Sequence, residues 1–224
     1  GVLDLPIHPL RVAIKSAASK AYVAGASGTL ISIPDLDNPI PVMASPKPAG
    51  DFKGIAFTAA GNDVFTVGSN SAIYNYNSTS GAKVNGVYTP GLIDVSFVNG
   101  MSGYVISDKM VRYTSNGGTT WKPISRSSTT ILNAIASYVP GRAILVGASG
   151  YLGKADTTAV SDSTTTGTYY DVEFSGQKGY MVGTSALRLA FNPTTNVVGY
   201  SALAGTFPAG STFRALHIFS NGSF

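Results

Sequence analysis

The sequence predicts an all-β fold built from repeated four-stranded units, and three observations predict it. Glycine (26) and proline (12) are plentiful among 224 residues, while charged residues make up only 12%, about half the globular norm. Strong helix formers are sparse in every window and one Glu stands against ten Asp, so short strands and turns are favoured over helices. A β-type run recurs every 38–43 residues, and a second apolar run recurs in step with it every 36–43 residues. Between the two runs lie turn residues, among them the pairs Asn99-Gly100 and Asn221-Gly222, and Asn-Gly is a strong hairpin signal.

The elements follow in order. The first run occupies residues 11–14, 54–57, 94–97, 133–136, 171–174 and 214–217. The second occupies 22–25, 65–68, 104–107, 144–147 and 180–183, ending in glycine in every copy but the third. Gly61-Asn62 and Gly176 serve the same turn position as the Asn-Gly pairs, so run one folds back antiparallel on run two. A third run, at 29–33, 72–76, 110–113, 151–154 and 186–191, is rich in Tyr and β-branched residues, as strands prefer. A weaker fourth run closes each copy at 40–43, 83–88, 120–124, 158–161 and 196–203. Loops rich in Pro, Ser and Thr, such as 44–50 and 161–168, separate the copies.

A period near forty matches a four-stranded propeller blade of roughly 40–45 residues. The predicted architecture is therefore a β-propeller in a single domain, 1–224, with five full repeats at about 11–50, 51–91, 92–130, 131–167 and 168–210. Terminal segments 1–10 and 211–224 fall at the closure. A ring has to close, because open sheet edges pair with other chains. Five blades with the ends packed at the seam, six blades with one composite of both ends, a longer parent chain, and association into a homo-oligomer all stay open.

The third copy holds the most distinctive stretch, Val-Arg-Tyr-Thr-Ser-Asn-Gly-Gly-Thr-Thr-Trp at 111–121. Asn and Gly tolerate positive φ, and Asn and Thr side chains bond to nearby turn backbone. The stretch reads as a hairpin whose exit carries the chain's one tryptophan as an anchor. It resembles the Asp-box (BNR) hairpin, Ser-x-Asp-x-Gly-x-Thr-Trp, of sialidase-type and photosystem-assembly-type propellers. Thr114 stands for the Ser and Asn116 for the Asp, while Gly118, Thr120 and Trp121 match. The resemblance implies a propeller and a structural turn, with Trp121 packed between strands.

The candidate binding site lies elsewhere. In a propeller the first run is innermost, so the residues opening each copy should ring one channel mouth: Arg11, Gly54, Asp94, Asn133, Asp171 and Arg214. Five of the six are polar, and either a ligand or cross-ring ion pairing would use Arg11, Asp94, Asn133, Asp171 and Arg214. A sialidase would need an arginine triad and a Tyr–Glu pair. Arg11 is followed by Val-Ala rather than Ile-Pro, Glu173 with Tyr169 and Tyr170 is the one Tyr–Glu neighbourhood, and Arg112 and Arg188 fall in third runs. Pairing of Glu173 with Asp94 or Asp171 across a glycosidic bond is the hydrolase alternative.

His8 and His217 are the two histidines, and no Gly-x-Ser-x-Gly elbow accompanies them. Asp35 and Asp37, flanked by Pro34 and Pro39, read as an ordinary turn. There is no Cys, which removes disulfides and thiolate chemistry. No phosphate loop, dinucleotide fingerprint or EF-hand is present, so no metal and no cofactor is expected. Sequons stand at Asn77 and Asn221. Net charge is +4 with pI near 9.2, but the Lys and Arg residues are scattered, so nucleic acid is not an expected partner. No apolar run reaches the roughly 18 residues a membrane helix needs, so no membrane insertion is expected. The sequence-level expectation is a non-enzymatic recognition or scaffold module for a protein or glycan receptor. Its composition resembles that of extracellular or virion-surface proteins such as tail fibres used in host attachment. A sialidase-like hydrolase and a photosystem-type assembly factor are the alternatives.

Overall fold

A computed structural model describes residues 9–15, 20–45, 48–58, 63–77, 80–84, 91–192, 197–202 and 210–218. Among these residues, twenty strands fall into five antiparallel sheets of four, each in chain order. The first is β1 (Pro9–Lys15), β2 (Lys20–Gly25), β3 (Leu30–Ile33) and β4 (Val42–Met43). The second is β5 (Phe52–Phe57), β6 (Asp63–Gly68), β7 (Ile73–Asn77) and β8 (Ser80–Val84). The third is β9 (Asp94–Phe97), β10 (Gly103–Ile106), β11 (Val111–Thr114) and β12 (Lys122–Ile124). The fourth is β13 (Leu132–Val139), β14 (Arg142–Gly147), β15 (Tyr151–Ala155) and β16 (Val160–Thr164). The fifth is β17 (Tyr169–Ser175), β18 (Lys178–Gly183), β19 (Ala186–Asn192) and β20 (Val197–Ala202). The repeat read from the sequence is thus the sheet, with runs one to four as its strands. The chain divides into two compact units, residues 1–107 with 114–121 and residues 108–113 with 122–224.

Burial explains why the second run is continuously apolar. In the first unit, β2 sends Tyr22 and Ala24 to one face, where they join Leu30, Ala44, Phe52, Val64 and Tyr76. It sends Ala21 and Val23 to the other face, with Ile31 and Ile33. Successive strand residues point to opposite faces, so a strand covered on both sides is apolar at nearly every position, with only Thr66 and Ser107 as buried polar exceptions in these runs. In the second unit, Ala134, Ala136, Ile144, Val146 and Leu152 of the fourth sheet pack with Tyr169, Val172, Met181, Leu189 and Val198 of the fifth. Each fully buried Leu, Ile or Met in such a layer contributes about 1.5–3 kcal/mol. The outer strands β4, β16 and β20 are mostly exposed, which is why the fourth run was the weakest signal.

The recurring glycine has a steric cause. A Cβ on Gly68, Gly147 or Gly183 would stand 1.9, 2.1 or 1.9 Å from the carbonyl oxygen of Asp51, Ile131 or Thr168. In each case the first strand bulges opposite the glycine, between Phe52 and Gly54, Leu132 and Ala134, or Tyr169 and Asp171. The bulge brings the first strand's backbone onto the end of the second.

Several boundaries differ from expectation. The fourth strand of the second sheet, β8, begins at Ser80 rather than at 83, because β7 turns back at once and pairs Asn77 with Ser80, and residues 85–88 of the expected run lie outside the described residues. Asn99-Gly100 does not form a bare two-residue turn. Val98 donates its amide to Ser102 at 3.1 Å, and the Asn99 side-chain oxygen accepts from Met101 and Ser102 at 2.9 and 2.6 Å. A two-residue turn does follow Ser175, where Gly176 takes φ 59° and Ser175 pairs with Lys178. Residues 211–218, expected to open a sixth copy at 214–217, form no strand. The first eight residues, His8, the turns Gly61-Asn62 and Asn221-Gly222, and residues 219–224 lie outside the described residues.

Candidate functional site

Strand register decides which residues occupy equivalent positions. Arg11 pairs with Ala24, Gly54 with Val67, Asp94 with Ile106 and Asp171 with Val182, each the residue before the end of its second run. In the fourth sheet that place belongs to Ala134, which pairs with Val146. Asn133 is the extra residue of the bulge. It stands one position early: the bulge recurs before Gly54 and Asp171, where Lys53 and Tyr170 are the extra residues, and unequal loop lengths hide this offset from a count of periods. The Asn133 side chain donates from Nδ2 to the Tyr169 carbonyl at 2.7 Å. In the first unit, Arg11 is exposed on β1, and Asp94 accepts the Val95 amide at 2.9 Å.

In the second unit β17 gathers the chemistry. Asp171 Oδ1 accepts the Val172 amide at 2.9 Å, and Oδ2 accepts the Leu216 amide at 2.7 Å. Two residues on, Glu173 Oε2 accepts the Ile218 amide at 2.8 Å, and Oε1 lies 3.4 Å from His217 Nδ1. Phe213 donates its amide to the Gly183 carbonyl at 2.8 Å, and the Arg214 guanidinium lies 4.3 Å from the centre of the Tyr170 ring. The segment expected to be a first strand is therefore a strap held mainly by side chains of β17. Asp171 and Glu173 point to one face because they are two apart on a strand, and they meet alternate amides of the strap. Burial pushes the Glu173 carboxyl up from its usual range; the Ile218 amide and then His217 act against this, and Asp171 adds to it.

The turn at 114–121 closes on itself. Thr114 Oγ1 accepts the amides of Gly118 at 2.9 Å and Asn116 at 3.3 Å, and donates to Asn116 Oδ1 at 3.0 Å. Asn116 in turn accepts the Thr120 amide and donates to Thr120 Oγ1, both at 2.9 Å. Gly117 and Gly118 take φ 64° and 82°, a region that costs other residues energy. A side chain on Gly118 would also run into the Phe65 ring. Trp121 is buried and meets Phe97 edge-on at 5.9 Å and Phe65 at 6.5 Å, and those two rings stack at 4.8 Å. The residues singled out in the sequence serve the hairpin and its anchor.

Of the hydrolase candidates, Tyr169 and Arg112 are engaged elsewhere, while Tyr170, Asp171 and Glu173 of β17 meet Arg214 and its neighbours on the strap. The Tyr169 hydroxyl donates to the Thr166 carbonyl at 2.8 Å and accepts from Ser185 Oγ at 2.9 Å. Arg112 sits on β11 with its Nε 3.2 Å from Met110 Sδ, and Arg188 belongs to β19. Asp35 Oδ1 accepts the Asp37 amide at 2.9 Å, an Asx turn. Among the described residues, no three His, Cys, Asp or Glu side chains gather as metal ligands would.

One polar cluster escaped the sequence reading. Arg126 Nε donates to the Tyr151 hydroxyl at 3.0 Å, and that hydroxyl donates to Asp162 Oδ1. Asp162 Oδ2 accepts the Ser128 amide at 2.9 Å, and the Arg126 guanidinium also reaches the Thr130 carbonyl. The group pins the connection that follows β12. Burial first, and then the bond to Asp162, pushes the Tyr151 hydroxyl up to about 12. Gly153 faces Asp162 across the β15–β16 pair, and a Cβ on it would stand 2.7 Å from the Tyr151 hydroxyl. A Tyr-x-Gly with an Asp on the following strand was the available signal.

No protein-family model matches the chain, and no curated protein sequence matches it. Solved structures do. A structure titled "YCF48 bound to D1 peptide" superposes with a TM-score of 0.62 at 14% identity, over 89% of this chain and 69% of that one. "Structure of U3-55K" gives 0.74 at 9% identity, over 94% and 70%. The Cps50 (Swd1) β-propeller domain of Myceliophteria thermophila gives 0.72 at 9%, over 86% and 68%. The fold is a β-propeller. At these identities the likeness carries the architecture and nothing about the ligand.

Proposed function

We propose that this chain is a non-enzymatic recognition module whose partner is a protein. The observation that carries this reading is the engagement of Asp171 and Glu173. Glycosidic chemistry of the usual kind needs two carboxyl groups open to one bond, whereas both of these accept backbone amides of residues 216 and 218. Carboxylates that hold polypeptide backbone suit a protein ligand. The structure titled "YCF48 bound to D1 peptide" supports the reading by fold analogy. Within it, the low charge and abundant Gly support attachment at an exported or virion surface.

The test is a random-peptide display selection on the immobilised full chain, run beside a glycan array and a reducing-sugar assay. Enrichment of peptides without turnover is the expected result. Turnover abolished by Glu173→Gln, or glycan binding with no peptide enriched, overturns it.

A further inference from the structure

We propose that the face of β17 bearing Asp171 and Glu173, together with the Gly183 carbonyl, is a docking groove for one extended peptide segment of a partner protein, and that residues 213–218 occupy it as an intramolecular stand-in. The proposal rests on the protein-binding reading and names its site.

Three features of the strap carry it. The bonds that hold it come from backbone amides, at Phe213, Leu216 and Ile218. Every non-proline residue supplies such a donor, so the groove recognises an extended chain as such. The strap is also thinly buried. Ile218 is 6% exposed, Phe213 and Leu216 are half-buried, and Thr212, Arg214, Ala215 and His217 are exposed. Its apolar burial is confined to Ile218 and to parts of Phe213 and Leu216, while Arg214, Ala215 and His217 face solvent. Finally, it joins no ladder, although it lies along an antiparallel sheet.

The contacts define the ligand. Apolar residues stand at its first, fourth and sixth positions, as Phe213, Leu216 and Ile218 do. A guanidinium at the second position covers Tyr170, and a base at the fifth meets Glu173. This is recognition of an extended peptide chiefly by its main-chain amides, with the Arg214–Tyr170 and His217–Glu173 contacts adding specificity.

The probe is a fluorescein-labelled peptide of residues 211–218, Ser-Thr-Phe-Arg-Ala-Leu-His-Ile, read by anisotropy against the full chain. Proline donates no amide hydrogen, so a chain carrying Leu216→Pro and Ile218→Pro releases the strap. It is expected to bind the probe at least tenfold more tightly than the unaltered chain. The same two proline changes made in the peptide abolish binding, a control that leaves the protein untouched. Asp171→Ala with Glu173→Ala in the released chain lowers affinity at least tenfold. Equal affinity for both chains, no binding to the released chain, or indifference to the proline peptide overturns the proposal. Should the released chain misfold, amide exchange in the unaltered chain decides. Leu216 and Ile218 amides exchanging far faster than those of β18 uphold it, and exchange only on global unfolding overturns it. Display-selected peptides that bind without competing with the probe sink the groove and leave the protein-binding reading intact.

Discussion

The hairpin at 114–121 and the strap at 213–218 are two irregular segments closed by side-chain-to-backbone hydrogen bonds, and they differ in reach. The hairpin's side-chain bonds span two to four residues, one backbone bond ties Gly117 to Met101, and its exit residue, Trp121, is 7% exposed between two phenylalanines. The strap's carboxylate bonds span forty-five residues, and its outward side chains are exposed. A local network forms as its own few residues order, so little loop-closure entropy opposes it. A long-range strap has to bring distant chain together for a few bonds, each worth a net ~0.5–1.5 kcal/mol, or about 1.5–3 kcal/mol to a charged acceptor. The first arrangement reads as a clamp and the second as exchangeable.

Substitutions at four positions break or sharpen that contrast. Trp121→Ala is expected to cost about 3–5 kcal/mol, the range for truncating a buried large aromatic, read as a lower denaturant midpoint. A cost under ~1 kcal/mol would remove the clamp reading. Thr114→Val leaves the Gly118 amide without its acceptor, a loss of ~1–3 kcal/mol in the same measurement. Thr114→Ser should restore most of it.

Tyr151 offers an intermediate case, long-range but with its ring buried. Burial and then the bond to Asp162 push its hydroxyl up to about 12 in the folded chain, whereas an unfolded tyrosine ionises near 10. The folded pKa is the raised one, so this group's stabilisation is complete below about pH 10 and is lost as pH rises through 12. Tyr151→Phe is expected to flatten that part of the alkaline loss in melts taken across this window. An unchanged slope would show that the hydroxyl is not held.

Ile218→Ala should have the smallest effect. An exchangeable strap detaches without opening the rest of the core, so on the proposal the global midpoint moves by less than ~0.5 kcal/mol. Exchange of the Leu216 and Ile218 amides speeds up at the same time. A shift as large as that of Trp121→Ala would make the strap a second clamp.

Much of the fold was legible because its signals are local. The period near forty, the apolar second runs and the Thr114–Trp121 turn each follow from short-range patterning and turn chemistry. The candidate site was legible only in part. Asp171 follows its bulge, but Asn133 is the bulge residue itself, one place early, because loops of unequal length blur a count of periods by a residue. Arg214 and His217 copied the first-run pattern and yet sit on a strap, because an apolar-polar alternation does not say which strand will pair with it. The Arg126–Tyr151–Asp162 cluster stayed hidden because its members meet only once β15 and β16 are in register.

Sequence alone determined the repeat, the strand order within each sheet and the use of the Asn116-Gly117-Gly118 turn, since these depend on neighbours along the chain. Tertiary structure decided what the first-run acids do. Nothing in the letters Asp-Val-Glu-Phe says that their carboxylates receive amides from residues 216 and 218, because that contact exists only where distant backbone is brought alongside β17.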